Sequence, residues 1–185
     1  MTTHRQRLLN ILKEKAYEKK KVVLASGRES DFYIDVKRVS LLAEGAFLLG
    51  HELFALTKEC FPDAVGIGGL TLGADPLAAA VAARSFEEGT PLDAFIVRKE
   101  AKGHGLGRMI EGGHFFAAGA SVVIVEDVVT SGGSSLGAAR KVVDHGWKVL
   151  GIAAVVDREE GGRERIEAEG FKLYSLFRKS DFDKV

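Results

Sequence analysis

Residues 122–135 read VVIVEDVVTSGGSS. The apolar, largely β-branched run Val122 to Val125 predicts a strand buried on both faces. Thr130, Ser131, Gly132, Gly133 and Ser134 follow it, and the stretch LGAARKVVDHG beyond them has helical spacing. A strand, a tight turn and a helix N-terminus in that order make an anion site. Backbone N–H groups, hydroxyls and the helix dipole converge on one point suited to a phosphate monoester. Glycines let the backbone approach such a ligand with no Cβ in the way. Glu126 and Asp127 lie just before the turn, where carboxylates would repel a phosphate unless they met something else. Adjacent ribose hydroxyls, which donate hydrogen bonds to carboxylates, meet that requirement. The turn is neither a Walker A loop, since no GKS or GKT ends it, nor a dinucleotide-binding GxGxxG. A glycine pair alone would be an ordinary βα turn with two solvated acids. The apolar strand, paired acids and hydroxyl-glycine run together point to a ribose phosphate.

Outward from this stretch, AVGIGG, AFIVR, VLGIAAVV and KLYSLF are further buried strand candidates. They alternate with helical segments. Thr3 to Lys20 places Leu8, Leu9, Ile11 and Leu12 on one face; Leu41 to Phe61 is helical up to Pro62. A third helix opens at Pro76 with Asp75 as its N-cap. Continuous apolar strands alternating with helices predict an α/β fold, a central parallel sheet flanked by helices, in a single domain over residues 1–185. The short runs VVL and FYIDV, separated by the turn-forming SGRESD, fall outside that alternation. Residues 1–40 are therefore expected to build a small flap, or hood, over the active site.

The chain has 26 Lys and Arg against 26 Asp and Glu, for a net charge of zero. That balance argues against a general nucleic-acid or membrane-surface binder, which would carry a basic excess. A hydrophobic fraction of 46% is ample for a buried core and excludes wholesale disorder. The single cysteine, Cys60, cannot form an internal disulfide, which fits a reducing cytosol. It sits in an apolar helical stretch and reads as core filler. The opening MTTHRQR is polar and basic with no long apolar run after it, so neither a signal peptide nor a membrane helix is expected.

Positive charge is concentrated in one place. RKEAKGHG, residues 98–105, gathers Arg98, Lys99, Lys102 and His104 beside glycines and runs on to Gly107 and Arg108. On composition alone this is a solvated surface loop. Beside a ribose phosphate that loses an anionic leaving group, such cations would stabilise the developing charge and exclude water.

The stretch 122–135 resembles the signature of type I phosphoribosyltransferases, which binds phosphoribosyl pyrophosphate (PRPP). RKEAKGHG is similar to the mobile catalytic loop of orotate phosphoribosyltransferases, R-K-x-x-K-x-H-G, at Arg98, Lys99, Lys102, His104 and Gly105. The resemblance runs from Ser26 to Arg158. It implies that Glu126 and Asp127 hold the ribose hydroxyls, while Val128 to Ser134 complete the PRPP stretch and Thr130 to Ser134 wrap the 5-phosphate. It also implies that Arg98, Lys99, Lys102 and His104 meet the pyrophosphate, with Lys99, Lys102, His104 and Asp127 acting in catalysis. Magnesium is implied as a cofactor carried by PRPP, with no protein ligand set of its own. A homodimer is implied, because in the family this loop reaches into the partner subunit's site. Orotate carries a ring carboxylate, and the resemblance of VVDR to the family's V-x-D-R motif assigns its recognition to Arg158, together with Thr130, Phe32 and Tyr33. The implied activity is transfer of ribose 5-phosphate from PRPP to orotate in pyrimidine biosynthesis, in the cytoplasm.

Two departures stand out. Ala25 occupies a position where many relatives carry lysine before SGR. Leu72 occupies the pyrophosphate-loop position, in GLTLGADP, where many carry another. Backbone N–H groups of Leu70 to Gly73 could still bind pyrophosphate, with charge supplied by Arg98, Lys99 and Lys102. The rival readings are a phosphoribosyltransferase for uracil or a purine, and a PRPP-sensing regulator that binds nucleic acid without turnover.

Overall fold

The computed structural model describes residues 3–23, 29–100 and 109–183. It opens with helix α1 (His4–Lys15), hairpin strands β1 (Tyr17–Val23) and β2 (Glu29–Ile34), the single turn α2 (Lys37–Ser40) and helix α3 (Ala43–Cys60). Then come β3 (Gly66–Leu70), α4 (Ala74–Glu87), β4 (Asp93–Val97), β5 (Ile110–Gly112), β6 (Ser121–Val129) and α5 (Gly133–Asp144). β7 (Lys148–Asp157), α6 (Gly162–Ala168), β8 (Leu173–Arg178) and α7 (Lys179–Phe182) complete the chain.

Six strands form one sheet in the order β5-β4-β3-β6-β7-β8, and β1 and β2 make a separate antiparallel pair. Every neighbouring pair in the large sheet is parallel except β4 and β5. The central parallel sheet and the small N-terminal antiparallel sheet are both as the sequence predicts. Alternate strand residues feed two cores, as the two-residue period of a strand requires. Val123, Val125, Ala153 and Val155 pack with α1, α3 and α4 on one face. Val122, Ile124, Ile152 and Ala154 pack with α5 and Trp147 on the other. The glycines of GIGG allow this close packing: a Cβ on Gly68 would stand 2.6 Å from the Phe95 ring.

Several boundaries differ from the sequence expectation. The first helix stops at Lys15, because the chain turns into β1 and pairs with β2 from Tyr17 onward. Thr3 is its N-cap, with Oγ1 accepting from Gln6 N–H at 3.3 Å. The segment 41–61 begins its helix at Ala43, after the separate turn α2. α4 starts at Ala74 with Gly73 as N-cap, so Asp75 is not the cap and Pro76 is the third helical residue. Asp75 instead accepts from Thr71 Oγ1 at 2.7 Å, a local contact that spacing alone does not distinguish from a cap. Four elements were not anticipated, the single turns α2 and α7 among them. β5 lies inside the glycine-rich charged stretch and is paired only through tertiary contact with β4, and α6 is hidden in the charged run GGRERIEAEG.

Candidate active site

The strand order reverses between β3 and β6: the chain leaves β3 towards β4 and β5, then returns to β6 on the other side. Parallel sheets bind ligands at such a reversal, in the crevice beyond the strands' carboxyl ends. Two loops flank it here, Thr71 to Gly73 after β3 and Thr130 to Gly132 after β6.

The β6 loop turns into α5 through Gly132, at φ 73°. That left-handed conformation is open to glycine and strained for most other residues. The loop is backed by the start of α6, where a Cβ on Gly162 would stand 2.6 Å from the Thr130 carbonyl oxygen. Arg165 on α6 donates to the Ser131 carbonyl at 3.3 Å, a cation beside the loop that the sequence reading missed. The first N–H groups of α5 remain at this end of the helix, as an anion cradle requires.

The two acids leave β6 on opposite faces, as consecutive strand residues must. Glu126 is buried under α5, where its Oε2 accepts from Ser135 Oγ at 2.9 Å. Burial, reinforced by the adjacent Asp127 charge, pushes its carboxyl up from 4.5 to about 8. Asp127 is more open and faces the β3–α4 loop. Its Oδ1 accepts from Val128 N–H at 2.8 Å, and a Cβ on Gly73 would stand 2.6 Å from its Cγ. Its Oδ2 lies 3.6 Å from Lys37 Nζ. Lys37 is a second residue that sequence reasoning missed. Only the tertiary fold brings it to the β6 end, and no motif in 32–40 marks it.

Beside the β3–α4 loop a cleft of about 530 Å³ is lined by Thr71, Asp75, Arg98, Lys99 and Glu111, among others. Leu72 is 70% exposed beside it. Arg98 pairs with Glu111 at 3.1 Å. Lys141, from α5, donates to the carbonyls of Arg98 and Lys99 at 2.9 Å each, so the phosphate-loop helix also pins the root of the basic segment. Lys102, His104, Gly105 and Arg108 lie outside the described residues, as do Ala25 and Ser26 to Arg28.

Arg158 sits just past β7, its N–H bonded to the Val129 carbonyl at 3.0 Å. The buried Asp157 shapes this corner by accepting from Glu159 N–H at 2.9 Å and Arg163 Nε at 3.0 Å. Arg158 Nη2 donates to the Phe32 carbonyl at 2.7 Å and to Glu160 Oε1 at 3.1 Å. Two residues 126 positions apart are thus joined at the crevice. The Phe32 ring itself is core: it is 1% exposed and packs with Tyr17 and Phe182 at centroid distances of 5.0 and 5.4 Å. Tyr33 is half-buried on the next position of β2. Cys60 is half-buried at the end of α3, and burial pushes its thiol up, as suits an inert filler.

A phosphate cradle, a carboxylate facing the sheet's reversal point and cations across the crevice define a phosphoribosyltransferase type of site. Residues 69–176 match the phosphoribosyl transferase domain family. The chain is 46% identical over 180 residues to an orotate phosphoribosyltransferase of Aquifex aeolicus, covering 96% of both chains. It is 48% identical over 161 residues to one of Streptomyces avermitilis, covering 87% of this chain and 86% of that one. Among solved structures, the Mycobacterium tuberculosis orotate phosphoribosyltransferase in complex with PRPP superposes with a TM-score of 0.80, at 38% identity over 98% of this chain and 99% of that one. The chain belongs to the phosphoribosyltransferase family, in its orotate phosphoribosyltransferase branch.

Proposed function

We infer that the chain transfers ribose 5-phosphate from PRPP to orotate, giving orotidine 5-phosphate and pyrophosphate for pyrimidine nucleotide synthesis. The observation that carries this reading is the acid and phosphate-cradle constellation at the sheet's reversal point, in a chain 46% identical to an orotate phosphoribosyltransferase. Ring N1 of orotate attacks C1 of the ribose and releases its proton to water or to the departing pyrophosphate, and the bond from C1 to the pyrophosphate oxygen breaks with its electron pair leaving on pyrophosphate. The departing pyrophosphate is itself a base that can take the N1 proton, so the protein's part is positioning and charge stabilisation.

Thr130 to Ser134 take the 5-phosphate on hydroxyls and the N–H groups at the start of α5, with Val128 and Val129 leading into that cradle. Asp127 accepts from the ribose hydroxyls; Glu126, expected from the sequence to share that role, is buried beneath α5 and bonded to Ser135, on the strand's other face. Arg98, Lys99, Lys102 and His104 are assigned to the pyrophosphate, supplying the charge that Leu72 does not. Arg158 meets the orotate carboxylate. Thr130, Tyr33 and the backbone at Phe32 bound the base, with residues 1–40 forming the hood over it. No three His, Cys, Asp or Glu side chains converge to hold a metal among the described residues. Magnesium, carried in with PRPP, is assigned to the oxygens of that substrate and to water, where it would neutralise the leaving group. The Lys99 segment is assigned to the partner's site in a homodimer. No helix among the described residues is long and apolar enough to cross a membrane. A lone cysteine also suits the cytoplasm as its place of work.

A steady-state assay with PRPP and orotate, scored as orotidine 5-phosphate, tests the reading directly. Uracil, adenine and guanine in place of orotate test the neighbouring one. Orotate is expected to be the preferred acceptor by a wide margin; turnover with another base alone would overturn the assignment.

A further inference from the structure

Asp127 is held on three sides. Its own strand supplies the Val128 N–H, Gly73 presses against the carboxylate from the start of α4, and Lys37 closes the third side from α2. Lys37 is itself anchored: its Nζ lies 2.8 Å from Asp35 Oδ1, and its backbone N–H donates to the same oxygen at 3.2 Å. Asp35 in turn is tied to the end of α1, its N–H donating to the Ala16 carbonyl at 3.0 Å. A continuous chain of contacts therefore runs from the root of the N-terminal hairpin to the PRPP-binding acid. Charge gives it a purpose. The Asp127 carboxylate faces a loop that carries Leu72, which brings no positive group.

We propose that Lys37 is a positioning residue of the PRPP site, bridging Asp35 to Asp127 so that the Asp127 carboxylate stays oriented towards the ribose hydroxyls and its charge is offset. This rests on the assignment of Asp127 to PRPP made above. Lys37 keeps its charge through neutral pH, since the hydrogen bond to Asp35 and the nearby Asp127 hold its ammonium above the usual lysine range despite partial burial. Its side chain is 44% exposed, so the contact adds little to folding while still ordering a group in the crevice.

The test is a double-mutant cycle on the full chain. Lys37→Met is expected to lower kcat/KM for PRPP roughly tenfold, with the orotate KM changed less than about twofold and the melting temperature nearly unchanged. Lys37→Arg, which keeps a cation within reach of both carboxylates, should recover most of the loss. On an Asp127→Asn background, Lys37→Met should cost little more, because the two residues act as one unit. A tenfold loss on both backgrounds would overturn the proposal, since Lys37 would then act on the substrate directly or through the fold. Full activity in Lys37→Met beside a crippled Asp127→Asn would overturn it alone. Near-normal PRPP kinetics in Asp127→Asn would remove the loop assignment and this inference together.

Discussion

Glu126 and Asp127 show how one residue class divides into two roles within a single step of the chain. Glu126 is 5% exposed and bonded to Ser135, whereas Asp127 faces the crevice. In the folded chain Glu126 keeps its proton until about pH 8, while in the unfolded chain it loses it near the ordinary value of 4.5. Between those limits the native state binds more protons than the unfolded state, so this group's contribution to stability is full below about pH 4.5 and falls as pH rises towards 8. Glu126→Gln removes that titration and keeps an acceptor for Ser135. Its stability relative to wild type should therefore improve by about 1 kcal/mol or more between pH 5 and pH 8, measured by denaturant unfolding at both pH values. Parallel pH profiles for the two proteins would place the carboxyl in a wetter site than the structure shows. Arg158 has two tasks at once, the Phe32 carbonyl on one side and the proposed orotate carboxylate on the other. Lysine cannot span both with a single ammonium. Arg158→Lys should raise the orotate KM by about tenfold and the PRPP KM much less; equal effects on the two would assign Arg158 to structure alone.

At the scale of elements, the site is two βα turns pressed together. Gly73 ends one, at the N-cap of α4, and its closeness to Asp127 leaves no room for a methyl group. Its backbone, at φ −63° and ψ −38°, is ordinary for any residue. Gly73→Ala therefore introduces a contact and no backbone strain. The variant should fold with a melting temperature close to wild type and lose about tenfold or more in kcat/KM for PRPP as Asp127 is pushed aside. Unchanged kinetics would mean that the loop relaxes away from β6 without consequence. α5 works in both directions: its start carries the proposed phosphate cradle, and Lys141 in its last turn fixes the carbonyls where the basic segment begins.

For the whole molecule, the proposed sharing of Lys99 between subunits makes the assembly part of the chemistry. Lys99→Ala and Asp127→Asn each disable a different component, and dissociating, mixing and reassociating the two proteins produces hybrids. Each hybrid holds one site with an intact Asp127 facing an intact Lys99 from its partner, and one site with both defects. Random pairing makes about half of the dimers hybrid, so activity should return to about a quarter of wild type. Absence of recovery, with hybrids verified by mass, would show that Lys99 serves its own subunit.

Much of the fold was legible in residues 122–135, because a strand, a turn and a helix start are contiguous there, and residues 98–105 carried the resemblance that selects the branch of the family. A strand, a glycine turn and a helix start are contiguous, so the cradle at Thr130 to Ser134 is written in one stretch, and buried strands announce themselves as apolar runs. The sequence by itself determined the α/β class, the parallel sheet, the place of the acid pair and glycine turn at the end of β6, and the branch of the family. Other features depend on residues far apart in the chain. The reversal point between β3 and β6, the pairing of β5 with β4, the seat of Phe32 in the core and the Arg158 contact with its carbonyl are all set by packing. Tertiary structure alone decided that Glu126 is buried and Asp127 is not, since the strand's two faces meet different helices. It also decided that Lys37 stands at Asp127, because a lysine's charge carries no record in the sequence of the carboxylate it will meet once the chain is folded.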